Sequence, residues 1–85
     1  MPKNNLEDRD LIIAYIKGDE KAFEVLLMRH KDRIYRFINM KVRDSALAED
    51  IFQDTFIKIV RTLKAGNYNE QGKFLPWALR IAHNL

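Results

Sequence analysis

The stretch DSALAEDIFQDTFIKIVRTLK, residues 44–64, constrains this chain more than any other, because its apolar residues recur at helical spacing. At about 100° per residue, Ala48, Ile51, Phe52, Thr55, Phe56, Ile59 and Leu63 gather on one side, as a helix packed on its own domain requires. The opposite side collects Asp50, Gln53, Asp54, Ile57 and Arg61, spaced i, i+3, i+4, i+7 and i+11. An isoleucine set among charged residues suits a docking surface. Periodicity alone also allows a solvated flank with one stray apolar residue.

The rest of the chain reads as helix too. Residues 1–7 form a frayed lead-in, followed by a short helix over residues 8–17 with the stripe Leu11, Ile12, Tyr15 and Ile16 and acids in its first turn. Gly18 stops it, as glycine does at a helix C-terminus. Asp19 is placed to cap a second, longer helix reaching about Val42, whose buried stripe is Phe23, Leu26, Leu27, His30, Ile34, Phe37 and Ile38. Asp44 or Ser45 caps the third helix, whose four acids favour the positive end of its dipole. AGNYNEQGK, residues 65–73, is a loop in which Tyr68 either contacts a ligand or folds back onto the core. A fourth helix begins near Phe74 with Pro76 in its first turn and a core stripe of Phe74, Ala78, Ile81, Ala82 and Leu85. No period-2 run or hairpin turn interrupts these patterns, so the expected fold is all-α, a compact bundle of about four helices in one domain over residues 1–85.

Charge is distributed in blocks. Residues 29–43 carry six basic and one acidic residue, residues 44–54 four acids and no base, and residues 55–85 five bases and one acid. An acidic block between two basic ones suggests two partners, one basic and one anionic. Arg29, Arg33, Arg36 and Arg43 line one side of the second helix, where they could meet phosphate, an acidic protein patch or only solvent. The chain has no cysteine, which removes disulfides and thiolate metal sites and fits a reducing compartment. Its longest apolar run, Leu11 to Ile16, is too short to span a bilayer, and there is no secretion-signal pattern at the N-terminus. A cytoplasmic chain without membrane contact is expected.

The sequence carries no recognisable catalytic arrangement. There is no Gly-rich phosphate loop, no H-E-x-x-H and no nucleophile beside a base, and a helix start explains the carboxylates Glu49, Asp50 and Asp54 better than acid/base work does. His30 lies in an apolar stripe without ligands at metal spacing, so it reads as a packed histidine. The expectation is a non-enzyme with no cofactor and no metal. A binding constellation stands on the fourth helix, where Trp77, Arg80 and Asn84 follow one another at i, i+3 and i+7. An aromatic face, a charge and an amide are what a single strand of DNA needs, although a tryptophan at a stripe boundary is more often a core residue.

The run Glu49, Asp50, Gln53, Asp54, Thr55 and Phe56 resembles the E-D-x-x-Q-[ED]-[TA]-F signature of region 2.2 in the sigma-70 family, particularly the small extracytoplasmic-function sigma factors. GDEKAFEVLLMRH upstream and KFLPWALRIAHNL downstream resemble the neighbouring segments in the same order. The resemblance implies that Asp50, Gln53, Asp54, Ile57 and Arg61 dock on core RNA polymerase, at the clamp helices of its beta-prime subunit. It further implies that Lys73, Trp77, Arg80, His83 and Asn84 meet the non-template strand of the promoter minus-10 element as it melts, Asn84 at the edge of a flipped-base pocket. An anti-sigma factor is a further partner of such proteins. The sequence stops where the family's specificity loop would continue and lacks its minus-35 reading module, so a fragment of a larger parent is expected. The competing expectation is a helical protein-interaction module, an anti-sigma target or adaptor, with Trp77 buried and no DNA bound. A duplex-binding helix-turn-helix domain is a third.

Overall fold

In the computed structural model, which describes residues 6–68 and 72–85, four helices carry the chain. They are α1 (Asp8–Ile16), α2 (Glu20–Val42), α3 (Ser45–Lys64) and α4 (Phe74–His83), with no strand among the described residues. The expected all-α bundle is the fold observed.

Local chemistry sets the helix ends. The amide of Gly18 donates to the Tyr15 carbonyl at 2.9 Å and that of Asp19 to the Ala14 carbonyl at 3.0 Å, the two bonds of a Schellman turn. Gly18 supplies the positive φ of 110° there, a backbone state that a Cβ would strain. Asp19 then caps α2, its carboxylate accepting from the amides of Lys21 and Ala22 at 3.1 and 3.3 Å. Asp44, not Ser45, caps α3, accepting from Ala46 and Leu47 at 3.0 and 3.2 Å. Between α2 and α3 the chain turns through Arg43 in the left-handed region, φ 52°.

α2 is the spine, packed on α1, α3 and α4, while α3 and α4 also pack on each other. Leu11, Ile12 and Tyr15 of α1 meet Ala22, Leu26, Ile34 and Ile38 of α2, with Ala48, Ile59 and Leu63 of α3 and Phe74, Ala78, Ile81 and Ala82 of α4 completing the core. Removing a leucine or isoleucine side chain of this kind from water contributes about 1.5–3 kcal/mol. Thr55 is buried among them, and its hydroxyl donates to the Ile51 carbonyl at 2.7 Å, so that hydroxyl is not stranded.

Four expectations need adjustment. Ile16 is 46% exposed and Leu85 is 49% exposed, so neither belongs to its buried stripe. Ile16 is the last residue of α1 and Leu85 lies past the end of α4. The first turn of α3 carries no acid, so of the four expected to complement the dipole only Asp44 stands at the positive end. Of the expected lead-in, residues 1–5 lie outside the described residues, whereas Leu6 packs against the core. Residues 69–71 of the expected loop also lie outside the described residues.

Candidate functional site

All five residues expected on the outer side of α3, Asp50, Gln53, Asp54, Ile57 and Arg61, are exposed, Ile57 by 48%. They span eleven positions, about 16 Å at the helical rise. On one side of this row lies an open groove of about 500 Å³ lined by Leu27, Phe52, Gln53, Phe56, Ile57, Val60 and Arg61. On its other side a second concavity of about 510 Å³ is lined by Asp54, Ile57, Lys58, Arg61, Thr62, Ala65, Asn67 and Leu85. Ile57 and Arg61 border both and so form a ridge between two hollows. This is the relief into which another protein's helices can interdigitate.

The groove has a stiff apolar floor. Phe52 and Phe56 stand 4.9 Å apart, Phe52 meets Tyr35 of α2 at 5.8 Å, and Phe56 meets Phe23 at 6.3 Å. Phe23 in turn meets Tyr15 of α1 at 4.8 Å. These rings tie three helices together behind the ridge. Leu27 and Val60 as groove walls were missed in the sequence, although the expected burial of Leu27 on the α2 stripe pointed to that side.

On α4 the expected line is partly assembled. At about 100° per residue Lys73, Trp77, Arg80 and Asn84 fall on one edge, with His83 turned away from it. Lys73, Arg80, His83 and Asn84 are exposed and Trp77 is half-buried. Tyr68 folds back onto the indole, ring centroids 4.4 Å apart and planes tilted by 52°, while Phe74 lies 5.8 Å away on the core side. The tryptophan is thus anchored by one aromatic from the core and one from the loop. Beside the line, His83 Nδ1 lies 2.8 Å from Lys41 Nζ, which brings the end of α2 against the end of α4. Lys41 escaped the sequence reading; its only signal was membership of the basic block.

His30 is packed, as expected, but not only by carbon. Its Nε2 lies 2.7 Å from Asp8 and its ring 5.4 Å from that of Phe74. Arg29 also bonds Asp8, while Arg33, Arg36 and Arg43 are exposed. Among the described residues no group of three or more His, Cys, Asp or Glu side chains is placed to hold a metal. Among the described residues no helix is long and apolar enough to cross a membrane.

Against known proteins, the family model described as Sigma-70 region 2 matches residues 26–85, which takes in most of α2 and all of α3 and α4. The chain is 42% identical over 67 residues to RNA polymerase sigma factor CarQ of Myxococcus xanthus, covering 79% of this chain and 37% of that protein. It is 35% identical over 78 residues to the RNA polymerase sigma-H factor of Pseudomonas aeruginosa, covering 92% and 39%. It is 33% identical over 79 residues to the ECF RNA polymerase sigma-E factor of Escherichia coli, covering 93% and 40%. The chain therefore spans about two fifths of the length of these curated relatives.

Proposed function

The chain belongs to the sigma-70 region 2 family, and from that premise we propose that it docks on core RNA polymerase and recognises and melts the promoter minus-10 element. The observation that carries the docking half is the ridge of Ile57 and Arg61 between two hollows, with Asp50, Gln53 and Asp54 along the same face. An apolar residue central to a charged rim is the arrangement that protein interfaces use, the centre supplying affinity and the rim supplying register. A partner presenting basic and apolar helices fits it, and in this reading the partner is the clamp-helix pair of the beta-prime subunit. The experiment that tests it is recovery of core polymerase on the immobilised chain.

For the DNA half, the α4 edge supplies each group that an unpaired strand requires. Trp77 offers a ring against which a base can stack, Lys73 and Arg80, with His83 beside the edge, offer donors to phosphate, and Asn84 offers a donor and an acceptor to a base edge. No fuel is required. The non-template strand gains contacts in the open form that the duplex cannot make, and binding shifts the population toward the melted state. Asn84 is assigned the base contact and Trp77 the stack.

A second reading has an observation of its own. Tyr68 and Phe74 both lean on Trp77, which is how an indole used only for packing is held. In that reading the chain is a helical interaction module, a target for an anti-sigma factor or an adaptor, without DNA binding. Titration with a minus-10-like single strand at low salt separates the two. A change in tryptophan emission supports the strand-binding reading, and unchanged emission supports the module.

A further inference from the structure

Two basic side chains meet at the end of the bundle with no acid between them. Lys41 stands in the last turn of α2 and His83 closes α4, Nζ to Nδ1 2.8 Å apart. Both are exposed, and among the described residues no carboxylate bonds to either. The negative ends of the two helix dipoles favour a basic group at each terminus, and a hydrogen bond between ammonium and imidazole draws the two together. The lysine is held from behind as well, its Nζ 5.1 Å from the centre of the Phe37 ring.

The contact fixes what the pair presents outward. An ammonium can only donate, so with a neutral imidazole this contact requires the tautomer in which Nδ1 accepts and Nε2 carries the proton. Lys41 thereby uses up the one acceptor in the pair. What remains are ammonium N–H groups and an Nε2–H, all donors, on a net positive site. The matching ligand is an anionic oxygen that only accepts, which is the non-bridging oxygen of a phosphodiester or of free phosphate. His83 immediately precedes Asn84 and stands about 100° round the helix from it, so the pair lies beside the α4 edge, within reach of the backbone of a strand bound there.

We propose that Lys41 and His83 together seat one backbone phosphate of the single strand whose bases meet Trp77 and Asn84. The proposal rests on the strand-binding reading above and adds to it a contact from a second helix. Lys41 is its distinguishing residue, because it lies outside the α4 edge altogether.

The test uses the full 85-residue chain and a fluorescent minus-10-like single strand, with affinity followed against salt concentration. Lys41→Gln should reduce the slope of log affinity against log salt by about 0.7, the increment for one single-strand phosphate. Lys64→Gln, at the end of α3 beside Glu20 and at the opposite end of α2 from Lys41, should leave the slope as it is. A single neutral methylphosphonate moved along the strand should weaken the unaltered chain at one linkage and weaken Lys41→Gln no further there. If the slope and the methylphosphonate pattern are the same in Lys41→Gln while Trp77→Ala still weakens binding, the phosphate seat is wrong and the strand-binding reading stands. If the unaltered chain binds no strand, both are overturned. Inorganic phosphate alone, followed by the imidazole NMR signals of His83, distinguishes the sources. Saturation at concentrations like those of the strand would make this a free-anion site and overturn the assignment to DNA.

Discussion

Nε2 of His30 lies 2.7 Å from Oδ2 of Asp8, and Oδ1 of the same carboxylate accepts from Arg29 at 2.8 Å. One acid at the start of α1 is thus clamped by two consecutive residues of α2. His30 also leans on Phe74, so its ring sits where α1, α2 and α4 meet.

Loss of this clamp should be felt as stability. The carboxylate and the guanidinium are partly exposed, at 28% and 30%, so the effect is discounted from that of a fully buried pair. Asp8→Ala should lower the unfolding free energy by about 1–2 kcal/mol, out of roughly 5–10 for a domain of this size. Urea unfolding followed by far-UV circular dichroism measures it, and a midpoint unmoved by the substitution would contradict the clamp.

The cap of α3 makes a sharper comparison, because two capping residue types stand side by side. Asp44 accepts two amide bonds, whereas no side-chain bond of Ser45 caps the helix. Asp44→Ala should cost about 1 kcal/mol and Ser45→Ala much less. The same denaturant titration decides it, and the reverse order would move the cap by one residue.

Tyr68 and Trp77 give a third outcome. Trp77 is the sole tryptophan of the chain, so emission reports on it alone. Removing the ring that lies 4.4 Å from the indole should open it to solvent, and Tyr68→Ala should raise acrylamide quenching. Trp77→Ala should weaken single-strand binding by about 1–3 kcal/mol, the worth of one base stacked on an aromatic. Unchanged affinity in Trp77→Ala would remove the stack from the account.

Much of this fold was legible because the signals are local. Gly18 and Asp19 announce a stop and a start within two residues, and each makes the bonds its type is suited to. The apolar period of α3 separated its buried from its exposed side, placing Ala48, Ile59 and Leu63 inside and Ile57 outside. Ile16 and Leu85 were misplaced because a helical wheel assigns a face without regard to where the helix ends, and these two stand at or past their helix ends. Asp8 with His30 and Lys41 with His83 were out of reach for a different reason. Their partners are 22 and 42 residues apart, and no periodicity within one helix says how two helices are set against each other. The groove beside Ile57 was hidden likewise, since Leu27 enters it from α2.

In the proposed function the ridge of α3 is the handle for the polymerase. Ile57 is 48% exposed and lends no support to the core, so Ile57→Lys should keep the helical signal and the unfolding midpoint of the unaltered chain. The direct measurement is the affinity of the two chains for purified core RNA polymerase at one salt concentration. A loss of tenfold or more, about 1.4 kcal/mol or greater, is the result predicted for a residue at the centre of an interface. Equal affinity of Ile57→Lys and the unaltered chain, both folded, would contradict it.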